Sequence, residues 1–264
     1  MYDFAYHRPA SLAEAAKLLK STDEAKLVAG GMTLIPTLKL RLAKPGAVVD
    51  LAALKDLVGI KVAGGTVTVG AMTTHAAVAD SADVKKAIPT LAHLADEIGD
   101  PAVRNRGTIG GSISNNDPAA DYPAGLLGLG ATVQTNERAI KADEFFKGLF
   151  ETALKPGEIV TAVSFPAPAK AAYMKFPNPA SRYAIVGVFV ASGPQGVRVA
   201  VTGASPCVFR WKEAEAALGK SWSAAAVEGL KHKADGLNSD IHASAEYRAH
   251  LIGVMAKRAV QAAG

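Results

Sequence analysis

Thiols are almost absent: the 264-residue chain holds a single cysteine, Cys207. An intrachain disulfide is excluded, and so is an iron–sulfur cluster held by this chain alone, because such a cluster needs about four thiolates. The usual nucleotide fingerprints are missing too. No Gly-x-Gly-x-x-Gly opens a helix and no Gly-x4-Gly-Lys-Ser/Thr occurs, which disfavours a doubly wound dinucleotide fold and a P-loop enzyme. Zinc-ligand spacings and a Ser-His-Asp arrangement are likewise not found. No uninterrupted apolar run approaches the roughly 18 residues of a membrane span. The start, Met1-Tyr2-Asp3-Phe4, lacks a charged stretch followed by an apolar one, so it is not read as a signal peptide and the cytoplasm is the expected location. Aromatics are sparse at 6% while Ala and Gly abound, which points to interiors packed from small residues. Charge is slightly unbalanced at +5, but the basic residues are scattered and form no block. That is a solvated cationic surface rather than a nucleic-acid arm, and it suits phosphate ligands or an acidic partner.

Against these absences stand two glycine segments. The first reads Leu27-Val28-Ala29-Gly30-Gly31-Met32-Thr33-Leu34 and the second Arg106-Gly107-Thr108-Ile109-Gly110-Gly111-Ser112. Each places a Gly-Gly pair beside a hydroxyl residue in what reads as a turn. Paired glycines permit positive φ and remove the Cβ atoms that would block a ligand. Successive N–H groups can then converge on an anion. Two such cradles fit a ligand with two phosphates, or one phosphate approached from both sides; either turn alone is equally a tight turn.

The remaining pattern alternates between helix and strand. Residues 9–20 read as a helix with a Ser11/Glu14 capping box. A strand at 26–29, a helix at 34–42 interrupted near Pro36, and a strand at 47–51 complete a small α/β unit, residues 1–54. The next unit, 55–168, opens with a hairpin over 59–62 and 65–70. Helices follow at 75–80 and 88–98, the second stopped by Asp100-Pro101. A buried helix at 123–130, a strand at 131–135 and a strand at 159–165 ending at Pro166 finish it. The last unit, 169–264, has antiparallel strands at 173–176, 184–191 and 197–201, then helices at 211–218, 223–234 and 244–262. The Met255-containing apolar stripe of the final helix reads as core.

Among residues able to carry chemistry, Asp121 stands out. It lies between small apolar residues and a buried-looking helix, where an unpaired carboxylate is expensive, so a ribose or ribityl hydroxyl is the expected partner. The stretch Ser114-Asn115-Asn116-Asp117-Pro118 is dense in short polar side chains, which serve equally as turn formers. Lys175 also reads as a solvated strand lysine and Tyr183 as sheet packing. His75 and His93 lack partners at metal-ligand spacing, and Cys207 reads as a small buried residue.

These motifs resemble a known family. Ala29-Gly30-Gly31-Met32-Thr33-Leu34 looks like the first pyrophosphate loop of the FAD-binding subunits of molybdenum hydroxylases, and Arg106 to Ser112 looks like their second. That family includes the medium subunit of aerobic carbon monoxide dehydrogenase and the flavin domain of xanthine dehydrogenase. Gly70-Ala71-Met72-Thr73-Thr74, Asn115-Asn116-Asp117-Pro118 through Asp121, and Glu246-Tyr247-Arg248 with Arg258-Ala259 extend the likeness over essentially the whole chain. Met32 stands where relatives often carry a polar residue, Ser112 where Asn is frequent, and the loop Pro177-Asn178-Pro179-Ala180 differs in pattern.

The resemblance implies an α+β fold: a two-part FAD-binding domain of the vanillyl-alcohol-oxidase/PCMH type plus a C-terminal antiparallel sheet with helices. It implies roles residue by residue. Ala29, Gly30, Gly31, Met32, Thr33 and Leu34 would cradle the FAD pyrophosphate, with Thr108, Gly110, Gly111 and Ser112 on its other side. Asn115 would lie near the phosphates or ribityl chain, Asp121 would bond adenosine-side or ribityl hydroxyls, and Ile98 would lie against the cofactor. Val160 would present backbone groups to the flavin ring, Lys175 would approach its polar edge, and Tyr183 would cover one face. It also implies partners, since a flavin chain without its own clusters takes electrons from elsewhere: an iron–sulfur small subunit and a large subunit holding the molybdenum cofactor, together a dimer of heterotrimers. Association with a membrane would be peripheral, through the electron acceptor. Two other readings of the residues stay open: a stand-alone FAD-dependent oxidoreductase, and a non-catalytic nucleotide-binding or assembly module.

Overall fold

The computed structural model describes residues 1–264. Its first unit follows from short apolar strands separated by capped helices. Strand β1 (Ala5–His7) leads to helix α1 (Leu12–Ser21), strand β2 (Lys26–Val28), helix α2 (Leu34–Lys39) and strand β3 (Ala47–Asp50). Ser11 caps α1 by accepting from the Glu14 N–H, and the Glu14 carboxylate accepts from the Ala10 N–H. The strands form a sheet in the order β1-β3-β2, parallel throughout, as helical crossovers require.

The second unit opens with a hairpin, β4 (Ile60–Ala63) and β5 (Thr66–Gly70), turned by Gly64 and Gly65 at φ of +56° and +71°. Six helices follow: α3 (His75–Asp80), α4 (Ala82–Ala87), α5 (Pro89–Asp96), α6 (Pro101–Arg104), α7 (Ile109–Asn115) and α8 (Tyr122–Leu129). The chain then returns to the sheet through β6 (Thr132–Thr135) and β7 (Ala139–Lys141). Short α9 (Ala142–Phe145) and a small hairpin, β8 (Phe146–Gly148) with β9 (Glu151–Thr152), precede β10 (Val160–Pro166). The sheet order is β4-β5-β10-β6-β7, antiparallel, so β10 enters at the centre and ties both halves together. Val67, Val69, Val163 and Phe165 from its strands meet Leu91, Leu94, Ile109, Ile113 and Leu126 from the helices in one buried cluster.

The third unit is a sheet of β11 (Lys170–Pro177), β12 (Ala184–Gly193), β13 (Gly196–Thr202) and β14 (Phe209–Arg210), antiparallel in that order. Helices α10 (Lys212–Lys220), α11 (Ala224–Glu228) and α12 (Ala245–Ala263) complete it. Leu251, Ile252, Met255 and Ala256 of α12 pack with Val186, Val188 and Val190 of β12, while Phe189 turns to the other face and joins the middle core. A Cβ on Gly128 of α8 would sit 2.4 Å from the Phe189 ring, so the helix needs glycine there to lie on the sheet. Covered on both faces, β12 is buried continuously from Ala184 to Ala191 instead of alternating.

Three local expectations are corrected. The helix expected over 88–98 already ends at Asp96, ahead of Gly99 at φ of +54°, and Asp100-Pro101 instead starts α6: the Asp100 carboxylate accepts from the Val103 N–H and Pro101 takes the first helical position. Gly110-Gly111 is not a turn but the first turn of α7, stabilised by its Thr108 cap and by the burial of Ile109 and Ile113 four residues apart. The helix expected over 223–234 ends at Glu228.

Candidate functional site

The first glycine segment leaves the sheet at Val28 and enters α2 at Leu34. Gly31 takes φ of +77°, a value costly for any side chain, and bends the chain there. The main-chain N–H groups of Gly30, Gly31, Met32, Thr33 and Leu34 have no acceptor anywhere in the chain. Thr33 precedes the helix but makes no side-chain cap, so the helix start offers its donors outward. Met32 and Thr33 are exposed. The segment is a row of unspent donors at the positive end of a short helix, the chemistry of an anion cradle.

The second segment is built differently. The Ile109 N–H donates to Thr73, Gly110 to Ala71, Gly111 to the Thr108 hydroxyl, and Ser112 to the Thr108 carbonyl. These donors are spent inside the protein, so the expectation of two equivalent N–H cradles is corrected to one cradle and one wall. The glycines serve packing. A Cβ on Gly30 would fall 2.0 Å from the Arg106 carbonyl oxygen, and one on Gly110 would fall 2.6 Å from the Ala71 Cβ. A Cβ on Gly111 would lie 3.6 Å from the Ala29 Cβ. Paired glycines therefore bring the two segments into backbone contact, with Gly30 against Arg106-Gly107 and Gly111 beside Ala29.

Asp121 is buried and already has protein partners. The Tyr173 hydroxyl donates to Oδ1 at 2.5 Å, while the Lys175 ammonium lies 3.1 Å from Oδ1 and 3.2 Å from Oδ2. Lys175 also donates to the Glu97 carbonyl at 2.6 Å. Its side chain is 2% exposed, which removes the reading of a solvated strand lysine. Tyr173 and Lys175 are two residues apart on β11, so both point to the same face and reach one carboxylate. Burial raises the Asp121 carboxyl to about 6, against the pull of Lys175 and the Tyr173 hydrogen bond.

The other expected residues fall around this frame. Ile98 is partly buried against the middle core, one residue after the carbonyl that holds Lys175. Val160 is buried in β10, and the next carbonyl, Thr161, accepts the Ala71 N–H, which places it behind the Gly110 wall. Asn115 and Ser112 are half-buried on α7. Tyr183 is half exposed and borders a cleft of about 280 Å³ shared with Asp117, Asn178 and Arg248. Its hydroxyl is pushed up by burial and by the charges of Asp117 and Asp121.

Two contributors were not singled out from sequence. Tyr173 reads as strand core, and nothing in its neighbours marks the hydroxyl as used. Asn116 sits in the left-handed region at φ of +46° and ends α7. Its buried side chain donates to the carbonyls of Gly148 and Glu151 at 2.8 Å each, clamping the β8–β9 hairpin. Asn is the residue type most tolerant of that backbone after glycine, the one signal that could have found it. No three His, Cys, Asp or Glu side chains converge as a metal site would require.

The family described as "FAD binding domain in molybdopterin dehydrogenase" matches residues 2–168, and "CO dehydrogenase flavoprotein C-terminal domain" matches residues 171–263. The chain is 36% identical to the nicotine 6-hydroxylase medium subunit of Paenarthrobacter nicotinovorans, covering 98% of this chain and 96% of the relative. It is 36% identical to the glyceraldehyde dehydrogenase medium chain of Sulfolobus acidocaldarius, covering 97% of each. The solved structure of carbon monoxide dehydrogenase from Hydrogenophaga pseudoflava lacking the molybdenum-pyranopterin moiety superposes with a TM-score of 0.90 at 36% identity, covering 99% of this chain and 97% of that one.

Proposed function

The chain belongs to the family of FAD-binding medium subunits of molybdenum hydroxylases, and from that premise we propose that it relays electrons from an iron–sulfur partner to an external acceptor. The observation that carries the cofactor assignment to particular residues is the row of unspent donors from Gly30 to Leu34. A diphosphate supplies the acceptors that these N–H groups lack, and the glycines keep the approach clear. Ala29 to Leu34 hold the pyrophosphate; Thr108, Gly110, Gly111 and Ser112 form the wall opposite; Asn115 lies at the phosphate or ribityl side. Asp121 accepts from a cofactor hydroxyl, Lys175 presents positive charge to the polar edge of the ring, Ile98 lies against the cofactor, Val160 presents backbone groups to the ring, and Tyr183 covers one face. FAD, when bound, supplies the exchange between one-electron and two-electron transfer.

The chain's own residues bind and orient. The ammonium of Lys175, excluded from water, favours added negative charge beside it. Substrate oxidation belongs to a molybdenum-containing large subunit, which explains how relatives whose names refer to nicotine, glyceraldehyde and carbon monoxide are equally similar to this chain. The assembly is a cytoplasmic dimer of heterotrimers. A stand-alone oxidoreductase would need an acid or base beside the ring, and His75 is a poor one: burial lowers it to about 4 and Gly107 packs against it. The test is anaerobic reduction. Flavin on the isolated chain should stay oxidised with organic donors and bleach only when iron–sulfur and molybdenum partners are added with their substrate. Turnover by the chain alone would refute the relay.

A further inference from the structure

Asp121, Tyr173 and Lys175 form a closed unit whose remaining bonding capacity can be counted. A carboxylate oxygen accepts through two lone-pair directions. Oδ1 faces both the Tyr173 hydroxyl and Lys175, whereas Oδ2 faces Lys175 alone. Of the ammonium N–H groups, one goes to the Glu97 carbonyl, one is shared by the carboxylate, and the last has no partner in the chain. The unit therefore retains an acceptor on Oδ2 and a donor on Lys175.

The Tyr173 hydroxyl is not explained by packing. The ring lies within the middle core, 6.2 Å from the Phe189 ring centroid, where phenylalanine would fill the same volume. The opposite strand makes room for the hydroxyl: Gly187 pairs with Lys175, and a Cβ there would sit 2.3 Å from the Tyr173 oxygen. Tyrosine and glycine together place one O–H on one carboxylate oxygen.

We propose that Tyr173 is a positioning residue of the cofactor site, whose hydroxyl fixes Asp121 and keeps it ionised so that Oδ2 and the last Lys175 N–H stay free for a cofactor hydroxyl and carbonyl. This rests on the FAD reading above. The charged and titratable groups facing Asp121 are Tyr173 and Lys175 on β11, Glu97 just after α5, Tyr122 on α8, and Tyr183 ahead of β12. Burial opposes ionisation of Asp121, and the Tyr173 hydrogen bond opposes burial.

The test is FAD affinity of the full chain, read by quenching of flavin fluorescence between about pH 5 and 9, a range that brackets the carboxyl. Affinity of the natural chain should fall as pH drops through about 6. In Tyr173→Phe the fall should begin about one pH unit higher, the worth of one charge-assisted hydrogen bond. The variant should match the natural chain at high pH and bind about tenfold more weakly below both midpoints. An unchanged midpoint, with or without a uniform loss of affinity, would overturn the role. Asp121→Asn should abolish the pH step, and adding Tyr173→Phe to it should then shift nothing; a surviving step in Asp121→Asn overturns the role even if the single tyrosine variant does not fold. Failure of the natural chain to bind FAD at any pH would instead bring down the cofactor reading, and this role with it.

Discussion

Asp121 and Glu158 are both buried carboxylates with opposite consequences. Burial dominates at Asp121 and raises it from 3.8 to about 6. Its folded value lies above its unfolded one, so its contribution to stability is full below the unfolded value and is lost as pH rises through about 6. Glu158 is held by the Arg138 guanidinium at 2.9 and 3.1 Å, by the Thr135 hydroxyl and by the Lys155 N–H, which lower it from 4.5 to about 2. Its stabilisation is present above the unfolded value and lost as pH falls through about 2. Glu158→Gln should therefore destabilise by about 2 kcal/mol near neutrality. In thermal melts the difference from the natural chain should vanish as pH approaches 2; a constant gap would contradict this. Lys175→Met should cost about 3 kcal/mol in chemical denaturation, because a buried carboxylate loses its only cation. Asp121 was legible in the sequence as a lone acid among small apolar residues, though the protein groups that hold it were not. Lys175 and Tyr173 were not legible as its partners, because the spacing that joins them to Asp121 is created only by the sheet.

Elements with strong apolar periodicity were legible. The helix at 244–262 is α12, and the capping box at Ser11 starts α1. Elements held by a few specific contacts were not. Helix α7 contains Gly110, Gly111 and two serines, poor helix formers, and exists because Thr108 caps it and Ile109 and Ile113 are buried. The glycine pairs were legible as a candidate site, but the difference between them, free donors in the first and spent donors in the second, was not. Gly30→Ala puts a methyl group 2.0 Å from the Arg106 carbonyl, against backbone that cannot yield without separating the two segments. It should lower FAD affinity by at least about tenfold, the effect of misplacing a cradle whose donors act as a set. Gly219→Ala, whose new Cβ meets nothing within 4 Å, should leave affinity unchanged and raise stability by about 0.5 kcal/mol. Equal affinities for the two variants would show that the close approach is irrelevant. Asn116→Ala should release the β8–β9 hairpin and cost about 2 kcal/mol, as a change in melting temperature reads out, since two carbonyls lose their donor.

At the scale of the whole molecule the proposed binding groups come from separate parts of the chain. The cradle is in the first unit, the wall and Asp121 in the second, and Lys175 with Tyr173 in the third. A carboxylate on one unit bonded to a lysine and a tyrosine on another makes the site depend on all of them. That arrangement has no local sequence signature: periodicity marks none of it, and the family resemblance offered Lys175 as a candidate but not Tyr173. Nothing in this geometry selects a substrate, in keeping with relatives named for unrelated substrates. The central claim is that the unspent donors from Gly30 to Leu34 exist to hold the diphosphate of FAD. Titration of the flavin-free full chain with FAD, followed by its visible spectrum, tests it most directly. The account predicts saturable, equimolar uptake that ADP competes for and riboflavin does not, because only ADP carries the diphosphate. A chain that takes up no FAD, or one that riboflavin displaces as readily as ADP, would contradict it.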